Sequence, residues 1–353
     1  MSVDNLFEDA LALLKKLISI QSFSREEDKT ADLIYSFLIE KSIQPHRKGN
    51  NVWAFNQYFD KNKPTILLNS HHDTVKPNKG YTKDPYNPEV VEDKLYGLGS
   101  NDAGGCLVSL INVFVYFYSK KDLKYNFVLA ATAEEEISGA NGIESILPDL
   151  GEIEFAIVGE PTQMHLAVAE KGLMVLDCYA NGVSGHAARN EGENAIYKAL
   201  KDIQWFKDYS FTKVSPSLGP VKMSVTVINA GTQHNVVPDL CHFVVDVRST
   251  DAYTNEEVLK IIKQFVTSEI KPRSTRLKPS FIPLDFPIIQ KGIEMGRNTY
   301  GSPTLSDQAL LAVPSLKCGP GDSSRSHTAD EYIFIHEIEE GIKLYIEMLE
   351  GIN

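Results

Sequence analysis

The sequence predicts an α/β protein interrupted by an inserted ferredoxin-like α+β domain, and three observations lead there. Short apolar runs alternate with helical stretches up to about Pro161. A strand-helix-strand-strand-helix series follows, and the last segment returns to the first style. The length of 353 residues agrees, because a single hydrophobic core stops growing at roughly 250–300 residues.

Leu6, Ala10, Leu13, Leu14 and Leu17 recur at helical spacing and predict an amphipathic helix from about Asn5 to Ile18. Ser24 with Glu27 three positions on reads as a capping box, which predicts a second helix from near Arg25 to about Lys41. Val52–Phe55, Thr65–Leu68, Phe127–Ala131 and Phe155–Val158 are short apolar runs, with a helical stretch at Ala103–Tyr118 among them. That is the pattern of strands covered on both faces in a mostly parallel sheet. In the insertion, Met174–Ala180 alternates apolar and polar, Lys222–Ile228 and Cys241–Val247 are strand-like, and Asn194–Phe206 and Asn255–Thr267 are helical. A further strand is expected near Arg276–Phe281. Pro314–Lys317 reads as a strand and Ile335–Glu350 as a closing helix. The expected division is 1–172 and 278–353 for the interrupted domain and 173–277 for the insertion.

Composition narrows the function. Hydrophobic residues at 42% and charged residues at 23% are ordinary globular usage, which excludes disorder, collagen and coiled coil. The net charge of −12 repels phosphate backbones and anionic lipid, so neither nucleic acid nor a membrane is expected as a partner. Cys106, Cys178, Cys241 and Cys318 form no C-x-x-C pair and no disulfide framework, which suits a reducing compartment. Asp4, Glu8 and Asp9 precede a short apolar stretch broken by Lys15 and Lys16, the reverse of a secretion signal. A cytoplasmic protein is expected.

Ligands of open α/β sheets bind beyond the carboxyl ends of the strands, so the residues after each apolar run carry the information. His71-His72-Asp73 follow one run, Glu134-Glu135-Glu136 another and Glu160 a third. Gly97 to Asp102 open a helix, and a Gly-rich stretch ends in His327. Taken singly, a histidine is usually a surface or satisfied core residue and three glutamates are usually a solvated helix face. Glu134–Glu136, however, follow an apolar strand and precede Gly139, where a solvated helix is not expected. Acidic side chains crowded at a sheet edge repel one another unless a cation is present. Imidazoles with carboxylates and no thiolate suit zinc, and a carboxylate shared by two ions would make a pair able to activate water and polarise a carbonyl. A dinucleotide loop is excluded because Asp102 stands where its fingerprint needs glycine, and no Walker A or G-x-S-x-G pattern occurs.

The blocks SHHDTV (70–75), GLGSNDAGG (97–105), ATAEEEISG (131–139), IVGEPT (157–162), GHAARNEGENAI (185–196), GTQHNVVPD (231–239), DVRS (246–249) and GPGDSSRSHTADEY (319–332) span nearly the whole chain. In this order they resemble the two-zinc aminoacylase and carboxypeptidase family that includes acetylornithine deacetylase and succinyl-diaminopimelate desuccinylase. Within that family the blocks resemble most the acetylornithine deacetylase type. The resemblance implies a zinc-peptidase-like catalytic domain interrupted by a lid and dimerisation domain, with two zinc ions per subunit and cobalt or manganese as substitutes. It implies that His71, Asp102 and Glu160 bind one ion, that Asp102, Glu136 and His327 bind the other, and that Asp102 bridges them. Glu135 would be the general base, and Asp73, on the same side of an extended segment as His71, would orient that ring. His186 would reach into the partner's site in a homodimer and stabilise an oxyanion, while Asn235 and Arg248 would hold the substrate's α-carboxylate.

The implied activity is removal of the Nα-acyl group from a small-molecule N-acyl amino acid, with N-acetyl-L-ornithine in arginine biosynthesis as the first expectation. N-succinyl-ornithine, N-acetyl-citrulline, succinyl-diaminopimelate and peptides are the alternatives. A metal-dependent scaffold without catalysis is the competing class, and it would tolerate loss of Glu135 or a ligand; none is missing. The 301–307 and 322–326 stretches are candidates to face the acyl group, where Arg325 would pair with a second carboxylate such as succinyl's, although an arginine in a Gly-rich loop is more often simply solvated. Leu98, Ser100, Ala103 and Gly104 stand where the family's block has Arg, Thr, Met and Lys, Glu134 replaces its usual Asp, and GHAARN lacks a common Pro.

Overall fold

The computed structural model describes residues 3–353, which divide into two compact units. One runs to Val168 and resumes over Phe281–Tyr300 and Ser306–Asn353; the other comprises Ala169–Ser280 and Gly301–Leu305.

The first unit is built on a nine-stranded sheet. Its centre is four parallel neighbours in the order Asn126–Thr132, Thr65–His71, Phe155–Val158 and Ser315–Lys317. Their side chains alternate between two cores: Ile66 and Leu68 join Phe127, Leu129 and Ile157 on one face, and Leu67 joins Val128, Ala130, Ala156 and Val158 on the other. Burial on both faces explains why these strands read as unbroken apolar runs. Against the first face pack the helices Val3–Ile18, Gly105–Tyr118 and Ile335–Glu350. The Leu6, Ala10, Leu13, Leu14 and Leu17 stripe is buried, and a fully buried leucine contributes about 1.5–3 kcal/mol. Leu14→Asp would put a charge at the centre of that stripe.

The second unit has a four-stranded antiparallel sheet in the order Lys222–Ala230, Leu240–Ser249, Gly172–Asn181, Glu269–Pro272. The helices Ala195–Asp208 and Asn255–Phe265 complete a β-α-β-β-α-β chain order, the ferredoxin-like layout. Met174, Leu176, Cys178 and Ala180 alternate into its core with Phe206, Phe243, Val258 and Ile262. Asn194 caps the first helix by accepting from Ile196 N–H, and Thr254 and Glu257 form a capping box on the second.

Two local expectations fail for physical reasons. Ser24 and Glu27 do not cap: the second helix is Asp28–Glu40 and has no side-chain cap bond. Ser24 Oγ donates instead to Asp73 (2.7 Å), and Glu27 accepts from the backbone N–H groups of Arg25 and Glu134. Tertiary partners therefore outbid the local motif. The fourth strand of the second unit is Glu269–Pro272, not Arg276–Phe281; only Ser280–Phe281 is extended there, and it belongs to the large sheet. An edge strand of four residues with exposed charges carries no apolar alternation to find it by. No described helix is long and apolar enough to cross a membrane.

Candidate metal centre

The carboxyl ends of the central parallel strands converge on one edge. His71 is the last residue of its strand and is 1% exposed. Glu135 and Glu136 form a short turn just beyond Asn126–Thr132, entered through Glu134 in the left-handed region (φ 56°). Glu160 follows Phe155–Val158. Asp102 sits in an irregular turn, Ser100–Gly104, that leads into the Gly105–Tyr118 helix. The turn needs its glycines: Gly99 has φ 74°, and a Cβ on Gly104 would lie 2.4 Å from the Gly99 carbonyl oxygen. That close approach excludes any side chain at 104. His327, also left-handed (φ 59°), arrives from the loop after Ser323–Arg325.

These side chains meet. His71 Nε2 lies 3.4 Å from Asp102 Oδ1, 3.7 Å from Glu160 and 3.9 Å from Glu135. His327 Nε2 lies 3.0 Å from Glu136 and 3.6 Å from Asp102 Oδ2. The two oxygens of Asp102 thus face different imidazoles. Ligand atoms within 4.8 Å of one another gather into His71, Asp102 and Glu136, and into His71, Glu135 and Glu160. Asp73 backs the cluster. Its carbonyl lies 2.9 Å from His71 Nδ1, and its carboxylate accepts from the backbone N–H groups of Glu135 (3.0 Å) and Glu136 (3.2 Å). With Nδ1–H donated to that carbonyl, Nε2 is the ring atom that faces the carboxylates and would ligate a cation.

Electrostatics give the same account. Burial works to lower the His71 pKa, but the carboxylates of Glu135, Asp102, Asp73 and Glu160 around the ring hold it well above the usual value. Burial drives Glu135 well above the carboxylate range, and Glu160, Asp307 and Glu136 add to the rise. The Glu136 hydrogen bond lifts His327 to about 9. His71 Nε2 is buried and makes no hydrogen bond. Buried polar atoms are normally satisfied, and ligands sharing one ion at about 2.0–2.2 Å stand roughly 3.3–3.5 Å apart. The orphaned nitrogen and its carboxylates therefore fit a divalent cation.

Other polar groups have partners of their own. His72 faces away: its ring lies 2.8 Å from Thr30 Oγ1 and 2.9 Å from the Asn50 carbonyl, and burial lowers its pKa to about 4. Arg325 is held in a bidentate pair with Glu337 (2.7 and 2.6 Å) and stacks near Tyr332 and Phe334. Its guanidinium already has a carboxylate partner within the chain. In the 301–307 stretch, Gly301–Leu305 belongs to the second unit, and Asp307 is buried, accepting from Thr132 Oγ1 (2.7 Å). Burial raises Asp307 to about 6. Glu134 turns back to accept from Asn141, a path open because Gly139 has no Cβ. Within the second unit, His186 is exposed in a two-residue strand paired with Val236–Val237. Asn235 is exposed beside it, its carbonyl accepting from Ala187 N–H. Arg248 pairs with Asp246 (2.9 and 3.1 Å). Sequence reasoning gave no individual role to Asp307 or Glu331; both are buried acids in polar surroundings, reached only as the end of the 301–307 stretch and within the block GPGDSSRSHTADEY.

Imidazoles and carboxylates gathered around an unsatisfied ring nitrogen, at the carboxyl edge of a parallel sheet, define a metallohydrolase. Residues 67–351 match the model of Peptidase family M20/M25/M40, and the chain belongs to that family. It is a hydrolase of amide bonds. It is 29% identical to the acetylornithine deacetylase of Buchnera aphidicola subsp. Schizaphis graminum, over 96% of each chain. It is 25% identical to a probable carboxypeptidase of Paracoccidioides lutzii, over 97% of this chain and 85% of that one. Among solved structures it is similar to the YXEP protein of Bacillus subtilis, a dinuclear metal binding peptidase from the M20 family, with a TM-score of 0.76, 16% identity and 98% of both chains covered.

Proposed function

We propose that this chain is a zinc-dependent amidohydrolase that removes the Nα-acyl group from an acylated amino acid, N-acetyl-L-ornithine first among them. The observation that carries this reading is the placement of Glu135 within 3.9 Å of the orphaned His71 nitrogen, beside the Asp102 carboxylate that faces both imidazoles. His71, Asp102 and Glu160 would hold one zinc, and Asp102, Glu136 and His327 a second. Bound there, the ions supply Lewis acidity and an acidified water at neutral pH.

The chain's own residues do the rest. Glu135 takes a proton from the attacking water and returns it to the leaving nitrogen, and burial favours the protonated form that the second step needs. Asp73 fixes that base through the N–H of Glu135 and fixes His71 through its carbonyl. Arg248, on release from Asp246, would take the substrate's α-carboxylate together with Asn235. His186 would serve the oxyanion of a second subunit in a homodimer formed through the Ala169–Ser280 unit. The exposed edge strand Lys222–Ala230, with Val227 and Ile228 at its surface, offers the pairing surface for a second copy.

The deciding measurement is turnover of acetyl-ornithine, succinyl-ornithine, acetyl-citrulline, succinyl-diaminopimelate and a dipeptide, with metal analysis on the same sample. Fastest cleavage of acetyl-ornithine with two zinc equivalents supports the proposal. Fastest cleavage of the dipeptide makes the protein a peptidase, and bound zinc with no turnover makes it a scaffold.

A further inference from the structure

Glu331 is 2% exposed and has no part in the ligand set or the proton transfer described above. Its side chain is nevertheless the main acceptor for the turn that carries Asp102. Glu331 Oε2 accepts from Gly99 N–H (3.1 Å), and Oε1 accepts from Asn101 N–H (2.8 Å) and Asp102 N–H (2.9 Å). Its carbonyl accepts from Gly97 N–H (3.0 Å). Four N–H groups of one six-residue stretch thus end on one residue. The next residue, Tyr332, starts a strand that pairs with Lys94–Tyr96, immediately before the stretch begins. On the other side, Glu331 lies four positions after His327. A single short segment therefore carries one imidazole of the centre and grips the turn that presents the carboxylate between the two imidazoles.

We propose that Glu331 is a positioning residue for Asp102: it folds the Gly97–Asp102 turn so that Oδ1 and Oδ2 face His71 and His327 before any cation binds. The proposal rests on the metal-centre reading and deepens it. A carboxyl group suits this role because its two oxygens can take three converging N–H groups; burial and the Asp102 charge raise its pKa to about 8, and the three N–H bonds oppose that rise. Asn101 anchors the same turn independently: its side-chain nitrogen donates to the Asp322 carbonyl (3.0 Å) and its oxygen accepts from Asp322 N–H (3.0 Å). Loss of Glu331 therefore loosens Asp102 within a turn that stays attached.

Glu331→Gln tests this. It keeps the volume but turns an NH2 group toward one of the donors. The expected result is a folded protein whose affinity for Mn(II) at the second of two sites falls by roughly ten-fold or more, with loss of the magnetic coupling between the two Mn(II) ions. Glu331→Asp, one methylene short, should fail to restore either. If Glu331→Gln lowers only the melting temperature and leaves both Mn(II) affinities and the coupling as in the unaltered protein, Glu331 is a structural anchor and the proposal falls. A second measurement needs no variant. In the chelator-treated protein, the amides of Gly99, Asn101 and Asp102 should exchange slowly with deuterium. Fast exchange that slows only on adding Zn(II) would mean that the cation builds the turn, and would overturn the proposal. A protein that binds no divalent ion at all would sink the metal-centre reading, while the exchange data would still decide whether Glu331 holds Asp102.

Discussion

The sheet edge that holds His71 and the sheet face of the second unit that carries Asp177 use the same side chains and treat them oppositely. On the second unit, Asp177 accepts from Arg273 (2.8 and 3.1 Å) and His242 (2.9 Å), and Asp246 accepts from Arg248. Each carboxylate there has a guanidinium, and its charge is settled inside the protein. At the sheet edge Asp102 and Glu136 face imidazoles instead, at 3.0–3.6 Å, and one imidazole nitrogen has no hydrogen bond. Burying such groups without a compensating charge costs several kcal/mol by ordinary desolvation. The difference separates a surface ion-pair network from a ligand site more sharply than the count of acidic residues does. It also gives an address to part of the net charge of −12: five of the formal negatives stand at Asp73, Asp102, Glu135, Glu136 and Glu160.

The largest effect expected from this contrast belongs to Glu135. Glu135→Gln should lower kcat by about 10²–10⁴ and leave metal content unchanged, as read by steady-state kinetics and elemental analysis. Full turnover would remove Glu135 as the base. Next come the ligands. Asp102→Ala should weaken both cation sites, whereas His327→Ala, which removes an imidazole already 55% exposed, should weaken one, each by more than the roughly 10–100-fold that loss of an outer-shell partner costs. Titration of the metal-free variants with Zn(II) checks this, and two undiminished sites in Asp102→Ala would contradict a shared carboxylate.

A subunit-exchange experiment probes the second unit. If His186 serves the partner's site, mixing His186→Ala with Glu135→Gln protein yields half heterodimers, each with one intact site. About a quarter of the unaltered activity should then return, as a two-fold dimer requires. No regain despite proven exchange would place His186 in its own subunit's site.

The contrast also explains what could be read in advance. Motifs at the ends of the central strands were legible because buried parallel strands are unbroken apolar runs, so the polar residues that terminate them stand out. Helix Ile335–Glu350 and strand Phe155–Val158 fall where their patterns put them. Ser24 misled because a hydroxyl that caps locally in one setting donates to Asp73 in another, and no local pattern distinguishes the two. The roles of Asp307 and Glu331 were not legible because their partners, Thr132 and the Gly99–Asp102 turn, lie 175 and up to 232 positions away. A carboxylate's function there is set by which backbone the fold brings to it. Arg325 was legible as a guanidinium but not as a committed one, since Glu337 approaches it through the start of the closing helix.

The smallest effect tests the other side of the comparison, the settled charges. Arg273, aided by His242, holds Asp177 at about 2, below its ordinary 3.8. A carboxyl whose folded pKa is depressed contributes stability that is fully present above its unfolded pKa, near 3.8, and that is lost as pH falls through 2. The window of loss is therefore acidic and lies well below neutrality. Asp177→Asn should cost on the order of 1 kcal/mol at pH 7, because solvent near the surface screens the pair, and should flatten the stability curve between pH 4 and 2 relative to the unaltered protein, with zinc binding untouched. Urea unfolding followed across that pH range reads the difference directly. A variant as stable as the parent at pH 7 and equally steep in acid would show that the Asp177 pair contributes nothing. A variant that lost zinc would show that the two regions are coupled, and that the charges of the second unit are not settled on their own.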